Sequence, residues 1–242
     1  SLGLVGSEMC IRDSSMGTSR SQRRFLTTRQ MGIAASFAGL MFVQDALGLR
    51  ITLMPPVFLS LGHAIYRLTV FSVGPWAAIV PALVHCFFVT VPPITFFGYM
   101  VGGLFFAVAT KTIWKLGDTW KRYAFLFYWC WVDAFFLSPA AFLIPFDKIM
   151  HFFDDVTVWL WVWSIGETTA YTFIRFIPLS LALKYAREFM KPTWTWRGGE
   201  DPEQPLGDGI EPVPGTEKEL IPLILLSIVI IAFCIIYIMT NP

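Results

Sequence analysis

The sequence predicts an all-α, polytopic integral membrane protein: a six-helix bundle with a seventh transmembrane helix at its carboxyl end and a cytoplasmic amino terminus. Three observations carry that prediction. Of 242 residues, 55% are apolar and only 14% charged, where a soluble domain carries about 25% charge. Several stretches reach the ~20 apolar residues that a helix needs to cross a bilayer. Three clusters of Lys and Arg are spaced so that seven crossings bring all of them to one side, as the positive-inside rule requires.

The opening segment has no apolar run of the kind a secretory signal needs. Leu4–Ser14, LVGSEMCIRDS, resembles the conceptual translation of a transposase-based sequencing adapter. Residues 1–15 are therefore expected to be a disordered library artefact in an assembled environmental sequence, with the start codon open between Met16, Met31 and a lost upstream one. Residues 16–30 form a basic cytoplasmic segment holding Arg20, Arg23, Arg24 and Arg29.

The first helix is read over Met31–Leu49. From Leu53 to Trp114 more than sixty residues carry few charges, so the chain must fold back at least twice. Gly74-Pro75 and Pro92-Pro93 are the natural breaks, because proline lacks an amide hydrogen and restricts the residue before it. Helices near 54–72, 75–91 and 94–114 result. Tyr123–Pro145 and Val156–Leu183 supply the fifth and sixth, closing a membrane domain over 31–186. Trp196–Glu219 is rich in Pro, Gly and acid and poor in large apolar groups, so residues 187–218 are expected to be a flexible cytoplasmic linker. The last helix lies in 219–242, with Leu220–Met239 free of charge.

The remaining basic clusters follow the same topology. Lys111, Lys115, Lys121 and Arg122 bracket the loop between the fourth and fifth helices, and Lys184, Arg187, Lys191 and Arg197 follow the sixth. The loop from Phe146 to Asp155 holds three aspartates against one lysine, which fits the outside. Arg50 is the exception, alone at an outer end.

Composition also narrows function. A net charge of +1 and no basic motif with interleaved aromatics argue against nucleic acid. Cys10, Cys86, Cys130 and Cys234 stand singly, which suggests neither a disulfide framework nor a thiolate metal site. The phosphate-cradling motifs GxxxxGK[ST] and GxGxxG are absent, as are HExxH and GxSxG. Any ATP would be bound by another chain, and no cofactor is expected. His63 and His85 could approach each other as haem ligands, but no partner residues support that.

Ionisable residues inside apolar spans are the most informative, since a charge there is costly and faces a cavity or a partner. Asp133 lies in the fifth helix; Glu167 and Arg175 lie in the sixth. Glu167, Tyr171 and Arg175 recur every four residues and share one side of a helix. Trp129 stacks a turn from Asp133, and Trp163 a turn from Glu167. Together Trp129, Asp133, Trp163, Glu167, Tyr171 and Arg175 are the expected substrate-binding set, aromatic walls with a few convergent polar groups. The alternative is that Arg175 pairs with Asp133 or Glu167 as glue between helices while the tryptophans form an interfacial belt. Arg67, near the inner end of its helix, is expected to snorkel and has no role.

The first helix carries Ala34 and Ala38 in an AxxxA, with Ala35 and Gly39 beside it, a face small enough for close approach of another helix, either of a partner or by internal packing within the same chain. With "FSVGPWAAIVPALVH" (Phe71–His85) and the glycine-containing "TFFGYMVGGLFFAVA" (Thr95–Ala109), the six-helix body resembles the substrate-binding S component of energy-coupling-factor transporters over about 31–186. That resemblance implies capture of a small, vitamin-like solute from the outside, with uptake powered by ATPase subunits on other chains. It also implies that Ala34 and Ala38 contact a transmembrane T component. The linker and the seventh helix depart from the pattern. Two rival readings stand beside it. One is a membrane-embedded enzyme acting on a lipid or isoprenoid, with His151, Asp154 and Asp155 holding a metal at the outer face. The other is a structural or assembly subunit of a membrane complex.

Overall fold

The computed structural model describes residues 25–54, 57–88, 92–142, 156–201 and 204–240. Residues 1–15, His151, Asp154 and Asp155 lie outside the described residues.

Thr27 opens the first helix. Its hydroxyl accepts from the Gln30 amide at 3.2 Å, and the Gln30 side chain accepts from the Thr27 amide at 2.9 Å. This reciprocal pair satisfies amides that the first helical turn leaves unbonded. Helix α1 accordingly runs Thr28–Ala46, beginning before the apolar pattern does.

The next segment differs from the expected helix near 54–72. Arg50–Met54 (β1) and Val57–Ser60 (β2) form an antiparallel hairpin that pairs Arg50 with Ser60 and Thr52 with Phe58. Ile51, Thr52 and Val57 are β-branched and suit a strand, while Pro55 and Pro56 between the strands would each remove a helical hydrogen bond. Helix α2 begins only at Gly62 and ends at Val73. Its 12 residues reach about 18 Å at the helical rise, short of a bilayer core of about 30 Å. Helix α3, Ile79–Cys86, is shorter still than the expected 75–91.

The longer elements lie where the apolar pattern places them: α4 Pro92–Lys115, α5 Trp120–Phe142, α6 Val156–Tyr185 and, after the short α7 Arg187–Met190, α8 Thr216–Thr240. The protein is therefore helical, with the hairpin as its exception among the described residues. Among those residues one helical segment, Phe96–Lys115, is by length and composition apolar enough to cross a membrane. Helix α5 packs between α4 and α6, α1 lies against α2 and α3, and α2 sits against α4 and α6. Tyr66, Phe71, Phe106, Ile113, Leu126 and Trp129 fill the shared core.

Gly103 lets α2 and α4 approach. A Cβ there would overlap the Tyr66 hydroxyl and lie 2.9 Å from Tyr66 Cζ, and Tyr66 is fully buried. Gly103→Ala is expected to destabilise by about 1–3 kcal/mol through overpacking. Tyr66→Phe should restore part of that loss, measured as thermal midpoints by tryptophan fluorescence; equal midpoints for Gly103→Ala and the parent would refute the close approach.

The segment expected to be a flexible linker is held against one end of the bundle. Trp194 is buried, its indole donating to the Phe71 carbonyl at 3.1 Å. The Gln30 side chain donates to the Val73 and Gly199 carbonyls, and Arg29 pairs with Glu200 at 2.7 Å. Farther along, the Asp118 amide donates to the Ile210 carbonyl at 2.7 Å. Gly117, at φ 66°, faces the Ile210–Pro212 backbone too closely for any Cβ. Low apolar content did not leave this stretch loose, because its partners are backbone carbonyls, aromatic faces and the basic residues of the bundle.

Those contacts bring described members of the three basic clusters to one end. Arg29 meets Glu200, Lys115 meets Glu219 at 2.7 Å, Lys121 meets Glu217, and Arg187 meets Asp118. The Tyr123 hydroxyl donates to Asp118 at 2.6 Å and holds that carboxyl below its ordinary range. Helix α8 leaves this end with Tyr128 and Ser227 hydrogen-bonded, and exposes Ile221, Leu225, Ile228, Val229, Phe233 and Ile236.

Candidate functional site

Helix α2 carries His63, Tyr66 and Arg67 at spacings of three and four, so they share a face. That face meets α5 and α6 at a polar centre. Arg67 Nε donates to Asp133 Oδ2 at 2.7 Å and Arg67 Nη2 to Asp133 Oδ1 at 3.0 Å. Arg175 Nη1 donates to the same Oδ2 at 2.8 Å. Asp133 and Arg67 are 0% exposed and Arg175 is 1% exposed.

Aromatic rings surround these charges. The Arg67 guanidinium lies 5.1 Å from the Tyr66 ring and 5.7 Å from that of Phe106, and Arg175 lies 5.4 Å from that of Tyr171. His63 stands 4.4 Å from the Tyr171 ring and is stacked on Tyr99 at 5.1 Å. Tyr99 also meets Tyr66 and His85 edge-on. Beyond it, His85 Nδ1 and Asp45 Oδ2 are 2.6 Å apart. Four buried polar atoms of this cluster have no hydrogen-bond partner among the described residues: Arg67 Nη1, Arg175 Nε and the Tyr66 and Tyr99 hydroxyls.

Of the expected site residues, Asp133, Tyr171 and Arg175 come together here. Trp129 is buried a turn from Asp133 but stacks on Phe105, with centroids 4.8 Å apart. Trp163 and Glu167 lie on α6, and their side chains are outside the described residues. Arg67, expected to snorkel, is instead enclosed and bidentate on Asp133; the linker segment covers the end of α2 through which it would have reached water. The Arg175–Asp133 pair expected of interhelical glue is present, with Arg67 as a third member. Tyr66 and Tyr99 were missed by sequence reading, and His63 was weighed only with His85 as a haem ligand, although the polar face of "HAIYR" was the available signal for His63 and Tyr66.

The AxxxA face turns inward. Ala34 and Ala38 are buried, with Ala34 packed beside Val73 and Ala77 of the same chain. Within this chain their small side chains lie on a helix that packs on α2 and α3, the internal packing that such a face also allows. Among the described residues no three His, Cys, Asp or Glu side chains gather as a metal site.

No protein-family model matches the chain, and no curated protein or solved structure does. Its functional reading rests on the centre itself.

Proposed function

We propose that this chain is a polytopic membrane protein that captures a small solute at the Arg67–Asp133–Arg175 centre, as the substrate-binding subunit of an uptake system powered by other chains. The observation that carries this reading is a charged, aromatic-walled cluster enclosed by apolar helices, with donors on two arginines and two tyrosines that have no partner among the described residues. Charge inside such a body is costly and is kept where it has work with a ligand or an ion.

Membrane embedding is supported by three features. The 25 residues of α8 extend about 37 Å at the helical rise, enough for a core of about 30 Å, and beyond its charged first turn the exposed residues from Ile221 to Ile236 are apolar. Arg29, Lys115, Lys121 and Arg187, the described members of the three basic clusters that form ion pairs, gather at one end, the arrangement of a cytoplasmic face. Phe96–Lys115 meets the length and hydropathy of a span. Helices α2 and α3 would complete their crossings with the hairpin and the turns beside them.

Mass spectrometry of small molecules that copurify with the full chain in detergent tests this reading. A solute is expected with the parent and is lost from the double variant Glu167→Ala, Arg175→Ala. An assembly subunit is the second reading, favoured by the use of both Asp133 oxygens in ion pairs; it predicts no solute in either sample.

A further inference from the structure

Among the described residues the centre is short of negative charge. Arg67 takes both oxygens of Asp133 and makes a complete bidentate pair, while Arg175 shares an oxygen already in use. One carboxylate therefore faces two buried guanidiniums. Asp45, the other buried carboxylate among the described residues, is engaged by His85. His63 Nδ1 lies 3.4 Å from Arg175 Nη2 and brings no negative charge. Glu167 lies on α6 two turns before Arg175, with its side chain outside the described residues.

A guanidinium enclosed without its counter-charge is strongly unfavourable, and removing it from water is repaid only by close ionic and hydrogen-bonded partners. The unused groups are also of one kind. Arg67 Nη1 and Arg175 Nε can only donate, and the Tyr66 and Tyr99 hydroxyls are free to donate. Planar guanidinium forks suit carboxylate and phosphate oxygens.

Resting on the reading of this centre as a solute site, we propose that the solute is an anion. Its carboxylate or phosphate supplies the missing charge to Arg175 and accepts hydrogen bonds from Arg67 Nη1 and the two tyrosine hydroxyls. Asp133 then holds Arg67 in place, and Arg175 is the arginine that recognises the solute.

The test uses the full chain in detergent micelles, titrated with benzoate, phenyl phosphate and the neutral benzamide while tryptophan fluorescence is followed. An anionic probe is expected to bind the parent about ten-fold or more tightly than benzamide, the worth of one charge-assisted hydrogen bond. The tighter of benzoate and phenyl phosphate identifies carboxylate or phosphate. Arg175→Gln leaves the neutral Arg67–Asp133 pair intact, so its thermal midpoint should equal or exceed that of the parent while anion affinity falls about ten-fold. Arg175→Lys should recover part of that affinity.

Equal binding of benzamide and benzoate, or anion affinity unchanged in Arg175→Gln, overturns the anion and leaves a solute site standing. If no probe binds and no solute copurifies, the solute site falls as well.

Discussion

Asp133→Ala is expected to destabilise the protein by about 3–5 kcal/mol, the usual cost of removing one partner from a buried ion pair. The carboxylate lies between Arg67 and Arg175, at 2.7 Å and 2.8 Å from their nearest nitrogens. Without it, two enclosed guanidiniums face each other with no counter-charge. Water cannot take its place at no cost, because all three side chains are at most 2% exposed. The measurement is the thermal midpoint in micelles, read beside Arg175→Gln. Those two variants should move in opposite directions or differ widely, since one strips the cluster of its only anion among the described residues and the other removes its surplus cation. A loss below about 1 kcal/mol for Asp133→Ala, the scale of an exposed pair, would mean that the arginines are neutralised by other groups.

Trp194→Ala should cost about 3–5 kcal/mol as a buried aromatic deletion, although the residue belongs to a stretch whose composition reads as a linker. Its ring packs against Gly74, lies 5.0 Å from the Lys111 ammonium and meets Trp196 edge-on. Its indole N–H also serves α2. The last carbonyls of a helix have no partner within it, and in α2 they are taken by the Gly74 amide for Val70, the Trp194 indole for Phe71 and the Gln30 side chain for Val73. Trp194→Phe keeps most of the packing and loses only that hydrogen bond, so about 1 kcal/mol is expected. Limited proteolysis gives an independent readout: cleavage within 191–215 should accelerate in Trp194→Ala. A cleavage rate equal to that of the parent would show that the indole does not hold the segment down.

How far the sequence foretold this depends on the residue. Long apolar runs located α4, α5, α6 and α8 because nothing inside them competes with helix formation. The region around Pro55 and Pro56 was misread, since apolar content alone does not separate a strand from a helix and the prolines were not weighed as breakers there. Asp133 and Arg175 were legible as charges within apolar runs. Arg67 was not, because its fate depends on Trp194 and its neighbours, which lie far away in sequence and seal the end of its helix. Tyr66 and Tyr99 are ordinary aromatics by sequence, and only Gly103 and the packing of α2 on α4 make them part of the centre. Ala34 and Ala38 were correctly seen as a close-packing face, but a spacing rule does not say which helix does the packing.

The capping of α2 by Trp194 spans 123 positions of the chain, which has a consequence in time. During synthesis from the amino terminus, α2 emerges long before the residue that completes it. Pairing over such separations is slow because the intervening loop must first be closed. The early helices therefore assemble with the Phe71 carbonyl and the Arg67 end of α2 still open, and the arrival of residues 191–200 is the late step that closes them. A nascent chain halted before residue 194 should hold its helices but remain open to exchange at that end.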